Sequence, residues 1–367
     1  MKILLLSCST GEGHNHCAYA VQQALQAQGH EAEFLDMLHM FAEPGPLRFD
    51  KLLNRICTKT PELFGMMYHA GAMYSSTGVT SPVYLANIRH AGQLREFLLT
   101  HGYDAVVCSH LFPMETLTYL RRRGACPVRC YGVLSDYTCI PFLAETELDG
   151  YFLPHPDVRA ACIQAGLPEE KLFVTGMPVD YRFTLLQTKA AARAQLCLPE
   201  EKKLYLVMTG GVGCGDAASL CDTILRVPDQ NSLILVLAGR NEALRQDLTA
   251  RFDPKAVRAV PFTDQVPAYM HAADVLLSKA GGISSAEAAV LGVPLVHTMA
   301  IPGVETCNAK FFAAHGMSYF ARNTDEAVRF ADRLIYDSAA AARMLAAQRA
   351  HFPRDAAQRI AAAVAAG

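Results

Sequence analysis

The stretch Ser9-Thr10-Gly11-Glu12-Gly13-His14-Asn15-His16 follows a short apolar run and leads into a helical pattern. A strand, a glycine turn and a helix start together aim backbone N–H groups, and the positive end of the helix, out of the carboxyl edge of a sheet. Gly11 and Gly13 stop short of the three-glycine dinucleotide fingerprint. His14 at such an edge titrates in the range a general base needs at neutral pH; on an arbitrary loop it would be a solvated histidine. Two later apolar runs end in Ser109-His110 and Ser135-Asp136. Both fall at the carboxyl edge, where open α/β sheets bind ligands. Taken singly each is also an ordinary cap, and Asp136 also an ordinary turn start.

The second half repeats the device three times. Met208-Thr209-Gly210-Gly211-Val212-Gly213-Cys214-Gly215-Asp216 joins a strand to a helix with a glycine-rich loop, where backbone can approach a phosphate closely. It lacks the Lys-Ser/Thr ending of a nucleotide-hydrolase P-loop, so ATP hydrolysis is not the first expectation. Ser278-Lys279-Ala280-Gly281-Gly282-Ile283-Ser284-Ser285-Ala286-Glu287 does the same. There Gly281 and Gly282 permit a tight turn, Ser284 or Ser285 is expected to cap the helix, and the helix start is placed to meet a diphosphate. Glu287 can accept from the two hydroxyls of a ribose, or it simply compensates the helix dipole. In Ile301-Pro302-Gly303-Val304-Glu305-Thr306-Cys307-Asn308, Glu305 and Asn308 are three residues apart and share one helix face, within reach of sugar hydroxyls.

These loops need strands to hold them. Short runs rich in Val, Ile and Leu alternate with helical patterns throughout, which predicts an α/β fold with parallel sheets covered on both faces. Strands are expected at residues 2–8, 31–36, 105–109, 128–133, 150–153 and 172–174, then at 203–209, 232–238, 256–260, 274–278 and 294–297. The first long helix is expected over about 16–28. Two domains follow, 1–180 and 181–367, with a hinge between Met177 and Glu200. The Ala-rich tail from about Ser338 is expected to be helical, broken at Pro353, and able to pack back on the first domain. Residues 46–99 differ: Phe49, Phe64, Met66, Met67, Tyr68, Met73 and Tyr74 are interleaved with Arg48, Lys51, Arg55 and Lys59. Two readings stand, a segment lying in a lipid interface and a helical cap on its own domain.

The bulk composition sets limits. At 367 residues the chain has room for two cores. A net charge of −2 lacks the basic excess of a nucleic-acid binder, so no nucleic-acid partner is expected. The first residues carry one Lys and a very short apolar run, too little for a signal peptide. No apolar stretch reaches the roughly 18 residues of a spanning helix, and a chain that is soluble or lies on a membrane is expected. Its 12 cysteines are read as reduced thiols, mostly small core residues. Cys126 and Cys130, without a second pair, make a poor zinc site.

In order along nearly the whole chain, Gly11 to His14, the loop at Gly210, Ala238-Gly239-Arg240-Asn241, the Pro261-Phe262 turn, Lys279 to Glu287 and Pro302 to Asn308 resemble the monogalactosyldiacylglycerol synthases and bacterial processive diacylglycerol glucosyltransferases. They are more distantly similar to the N-acetylglucosaminyltransferase that makes lipid II. The resemblance implies a GT-B fold: two Rossmann-like domains facing each other across a cleft, acceptor bound by the first and UDP-sugar by the second, with inversion and neither metal nor other cofactor required. By the same resemblance Gly211 and Gly213 lie beside the diphosphate, Phe262 beside the uracil, with Arg240, Lys279 and Gly281 also on the donor side. Gly282 and Ser284 meet the phosphates, Glu287 the ribose, and Glu305 with Asn308 the donor sugar. His14 matches the family's base or acceptor contact and Asp136 the acid of its Thr-Asp motif, with Gly11, Gly13 and His110 on the acceptor side. Where the family has His and Trp after that motif, this chain has Cys139-Ile140-Pro141-Phe142 and no Trp.

The expected reaction is hexose transfer from a UDP-sugar to a lipid hydroxyl, diacylglycerol first. It would take place on the anionic inner face of the cell membrane, in the cytoplasm of a bacterium, with His14 as the first choice of base and Asp136 the second. A cell-wall lipid acceptor, a UDP-sugar epimerase and a non-catalytic UDP-sugar sensor stand as alternatives.

Overall fold

The computed structural model describes residues 1–9, 12–40, 60–210, 216–227 and 231–367. Gly11, Gly211 and Gly213, and the basic residues Arg48, Lys51, Arg55 and Lys59, lie outside them. Contacts divide the chain into two units. The first comprises Met1–Tyr181, Pro302–Val304 and Pro353–Gly367, the second Arg182–Ile301 and Glu305–Phe352.

In the first unit the apolar runs form β1 (Lys2–Ser7), β2 (Glu31–Asp36), β3 (Ala105–Cys108), β4 (Arg129–Val133), β5 (Gly150–Leu153) and β6 (Leu172–Val174). All pair in parallel, in the order β2-β1-β3-β4-β5-β6. Ile3, Leu4, Leu5 and Leu6 are fully buried, as a parallel strand covered on both faces requires. Because β1 pairs with β2 on one side and β3 on the other, the strand order reverses at β1. That makes the carboxyl ends of β1 and β3 a topological switch point.

Helices Glu12–Ala27, Leu111–Arg122 and Pro156–Gln164 pack on this sheet, Ala91–His101 packs against Leu111–Arg122, and the terminal helix Ala356–Ala366 packs against Glu12–Ala27. The first helix begins four residues before the expected His16, because Glu12 in its opening turn complements the positive helix end. His14 therefore sits on helix rather than on a turn. Helix Pro61–Ser75 keeps much of its apolar surface outward: Met66 is 70% exposed, Met73 74%, and Leu63 and Met67 about half. No helix among the described residues is long and apolar enough to cross a membrane.

The second unit has the same logic. Its strands are β7 (Lys203–Met208), β8 (Ser232–Gly239), β9 (Val257–Pro261), β10 (Val275–Lys279), β11 (Leu295–Met299) and β12 (Tyr319–Phe320), in the order β12-β11-β10-β7-β8-β9. All pairings are parallel, and the switch point lies between β7 and β10. Tyr205, Val207, Ile234, Val236, Val275, Leu277 and Val296 meet Cys221, Ile224, Leu248, Leu334 and Met344 from the helices. Each such fully buried aliphatic side chain contributes about 1.5–3 kcal/mol.

Helix Lys189–Gln195 is fixed to this unit through Arg193, which is almost fully buried. Its guanidinium donates to Asp274 at 2.8 Å and to the carbonyls of Ala272 and Lys202 at 3.0 Å each. The Ala-rich tail forms Ser338–His351 and Ala356–Ala366, interrupted around Pro353, which has no N–H for the helical ladder.

Candidate active site

His14 lies at the switch point of the first unit, in the opening turn of the helix that follows β1. Its Nδ1 stands 2.9 Å from the carbonyl oxygen of Ser109, at the end of β3. A carbonyl only accepts, so Nδ1 carries the proton and Nε2 keeps its lone pair. Ser135 Oγ is 3.0 Å from the same Nδ1 and donates onward to Asp136 Oδ2 at 3.3 Å. One chain of polar groups thus runs from the imidazole to the acidic strand end of β4.

Burial pulls the His14 pKa below its ordinary 6.5, and the Asp136 charge and the Ser109 carbonyl oppose that fall. His110 packs its ring edge-on to His14, with centroids 4.7 Å apart. It caps helix Leu111–Arg122: its Nδ1 accepts from the Phe112 N–H at 3.2 Å, which leaves the His110 proton on Nε2. Burial, then the neighbouring His14, holds this imidazole well below its usual pKa and therefore neutral. Between these groups is a recess of about 20 Å³, lined by His14, Ser109, Met114, Ser135, Asp136 and Ile140 among others. That is room for one hydroxyl-sized group and not for a sugar ring. Gly13 lies beside His14 on the same helix.

In the second unit the site gathers around Lys279, at the end of β10. Gly210, just past β7, has φ +76°, and a Cβ there would lie 2.6 Å from Lys279 Cε. Only glycine tolerates both the left-handed backbone and that approach. Lys279 Nζ pairs with the Glu305 carboxylate, whose Oε2 accepts from the Ile301 N–H at 2.9 Å. Asn308, fully buried, donates to the Ala280 carbonyl at 3.3 Å and so fixes the turn after β10. Gly210, Lys279, Gly281, Glu305 and Asn308 are thereby brought together from three strand ends.

The expected serine cap is not formed. Gly281 is the N-cap of Gly282–Leu291 and makes no side-chain hydrogen bond. Ser284 Oγ instead donates back to the Gly281 carbonyl at 3.3 Å, and Ser285 Oγ bonds His297 Nε2 at 2.9 Å. A helix that starts on glycine, without a side-chain oxygen over its first amides, offers those N–H groups to an external anion. Glu287 is buried on the same helix. Arg240 after β8 and Phe262 after β9 form a pair of their own, the guanidinium 4.6 Å from the ring centroid and the ring 62% exposed. Sequence reasoning missed the Lys279–Glu305 pair. It also missed the role of Ser109, because a backbone oxygen can belong to any residue.

Residues 14–179 match the monogalactosyldiacylglycerol (MGDG) synthase family, and residues 206–360 the glycosyltransferase family 28 C-terminal domain. A processive diacylglycerol beta-glucosyltransferase of Bacillus thuringiensis is 26% identical over 342 residues, 92% of this chain and 86% of that protein. Among solved structures, Acinetobacter baumannii MurG aligns over 100% of this chain and 99% of its own, at 16% identity and TM-score 0.65. The UDP-GlcNAc 2-epimerase of Neisseria meningitidis, bound to UDP-GlcNAc, aligns over 100% of both chains at 14% identity and TM-score 0.65.

Two parallel-sheet units with polar loops at the carboxyl ends of their strands are the GT-B fold, and the family 28 match makes the second a glycosyltransferase domain. More narrowly, the chain carries a monogalactosyldiacylglycerol synthase domain over residues 14–179 followed by a family 28 C-terminal domain over residues 206–360.

Proposed function

We propose that this protein transfers a hexose from a UDP-sugar to a lipid hydroxyl, diacylglycerol being the acceptor, with inversion at the anomeric carbon. The observation that carries the reading is His14 Nδ1 at 2.9 Å from the Ser109 carbonyl oxygen, an acceptor that draws the ring proton to Nδ1 and leaves Nε2 as a base. In the reaction the acceptor hydroxyl gives its proton to Nε2 as its oxygen bonds the anomeric carbon. The bond from that carbon to the diphosphate breaks, and UDP departs. Asp136, through Ser135, stabilises the imidazolium that forms.

Negative charge grows on the departing diphosphate. The uncapped start of Gly282–Leu291, Lys279 and the Gly210 turn are the groups that meet it, and in this reading no divalent ion is needed. Glu287 binds the ribose, Glu305 and Asn308 bind the donor sugar, and the Phe262 ring beneath Arg240 is the platform for uracil. The family resemblance further assigns Gly211 and Gly213 to the diphosphate, and Gly13, Gly11 and His110 to the acceptor side. The outward Met66, Met67 and Met73 rest in the interface of an anionic membrane on its cytoplasmic face.

The test is product analysis. Purified protein is incubated with diacylglycerol vesicles and, in turn, UDP-glucose, UDP-galactose and UDP-N-acetylglucosamine, and lipids are weighed by mass spectrometry. One of these donors is expected to yield a hexosyl-diacylglycerol and free UDP. Conversion of UDP-N-acetylglucosamine to its 2-epimer with no lipid product would replace the reading by the epimerase one.

A further inference from the structure

At the opposite edge of the first sheet from His14, Cys126 and Cys130 bring their sulfur atoms to 3.4 Å, just before and within the start of β4. The backbone between them turns so that both thiols lie 3.4 Å from one oxygen, the Val128 carbonyl. Cys130 is fully buried and Cys126 half-buried, so one sulfur of the pair is reachable from solvent and the other is not. A cation is fixed beside them. Arg121 Nη1 donates to Asp149 Oδ2 at 2.6 Å, and the same oxygen accepts from the Cys130 N–H at 2.7 Å. Arg121 Nε is buried with no hydrogen-bond partner among the described residues, a donor left over in the neighbourhood of two sulfurs. This arrangement exceeds what core filling requires, since a core cysteine needs neither a second thiol nor an anchored guanidinium.

We propose that Cys126 and Cys130 form a reversible dithiol–disulfide site that takes a low-molecular-weight disulfide as its oxidant, with Cys126 attacking and Cys130 resolving. The Cys126 thiolate attacks one sulfur of the oxidant, forming a mixed disulfide and expelling one thiolate. Cys130 then attacks the Cys126 sulfur, its proton leaving with the second small thiol, and the intramolecular disulfide forms. Two protein thiols are oxidised and one small disulfide is reduced to two thiols.

The division of labour follows from the surroundings. Donation from the Cys130 thiol, against the opposing effect of burial and with help from the Val128 backbone contact and Arg121, brings Cys126 down to about 7. The same hydrogen bond, and then burial, pushes Cys130 up. At pH 7 Cys126 would carry a thiolate fraction about tenfold above that of an ordinary thiol.

The experiment uses the full chain, reduced and then exposed to glutathione disulfide, with peptide mapping before and after dithiothreitol. A reducible Cys126–Cys130 link is expected. Cys130→Ser should stop at a glutathione adduct on Cys126, and Cys126→Ser should leave Cys130 unmodified. Iodoacetamide should alkylate Cys126 with a midpoint near pH 7, moved upward in Arg121→Gln. The proposal is overturned if wild-type mapping finds the link at Cys139 and Cys162, or an adduct at the exposed Cys197, with Cys126 and Cys130 still free. Alkylation of Cys126 no faster than of free cysteine at pH 7 would overturn it equally, and neither result depends on a variant folding.

Discussion

At His14 a backbone oxygen decides which ring nitrogen can act. With Nδ1–H committed to Ser109, the imidazole presents Nε2, and the charge of Asp136 supports the cation that appears after proton transfer. His14→Ala should lower the transfer rate by about 10²–10⁴-fold, the typical worth of a positioned base. UDP affinity in calorimetry should stay as it was, since the donor groups belong to the other unit. Asp136→Asn tests the electrostatics separately. Burial already depresses the His14 pKa and Asp136 holds it up, so removing the charge lets it fall further. The acid limb of the kcat/KM profile should then move to lower pH; a limb that stays in place would show that the Asp136 charge does not act on the base. Asp136 stood out in the sequence because it follows the end of an apolar run, and His14 because it sits where a glycine turn opens into a helix. Their linker did so only in part, because Ser135 is a residue but the Ser109 carbonyl is not a side chain.

Elements were legible to within a residue or two wherever a run of Val, Ile and Leu was long enough to be buried on both faces. Tyr319–Phe320 was not, since a strand of two residues has no pattern of its own. The serine capping at Gly282–Leu291 was misread for a different reason. Ser285 faces the core, where it meets His297, and a sequence pattern cannot show that a hydroxyl has a better partner than the helix end.

His297 is fully buried on β11, with Ser285 Oγ 2.9 Å from Nε2 and Ser318 Oγ 3.1 Å from Nδ1. Burial lowers its pKa to about 3. The folded value lies below the unfolded one of about 6.5, so the stability it contributes is complete above pH 6.5 and is lost as pH falls toward 3. By pH 5 that loss is about 2 kcal/mol. His297→Gln should cost about 1–3 kcal/mol at pH 7 by disturbing two buried hydroxyls, yet show a flatter decline. Urea unfolding at pH 7 and pH 5 should find the gap between variant and wild type narrowing, and a constant gap would refute the assignment.

Across the molecule, each unit puts its polar loops at the strand ends where its sheet order reverses, β1 and β3 in one and β7 and β10 in the other. This much followed from the alternation of strand and helix. What the sequence left open was residues 46–99, where amphipathic composition fits a lipid-facing segment and a cap equally. The membrane contact proposed above rests on exposure: Met66 and Met73 are 70% and 74% exposed, with Leu63, Met67 and Val79 also outward, while Gly71, Tyr74 and Ser75 of the same helix meet Phe142. Met66→Asp combined with Met73→Asp should lower the partition onto vesicles of anionic phospholipid by about tenfold or more, each methionine being worth about 1.5–3 kcal/mol when fully buried. Co-sedimentation would measure this. Transfer to a short-chain, water-soluble diacylglycerol should continue at the wild-type rate, because neither side chain belongs to the recess at His14. If the double variant binds vesicles as the parent does, the helix is not the membrane contact; if it loses the soluble reaction as well, the helix is holding the acceptor site in shape rather than carrying it to the lipid.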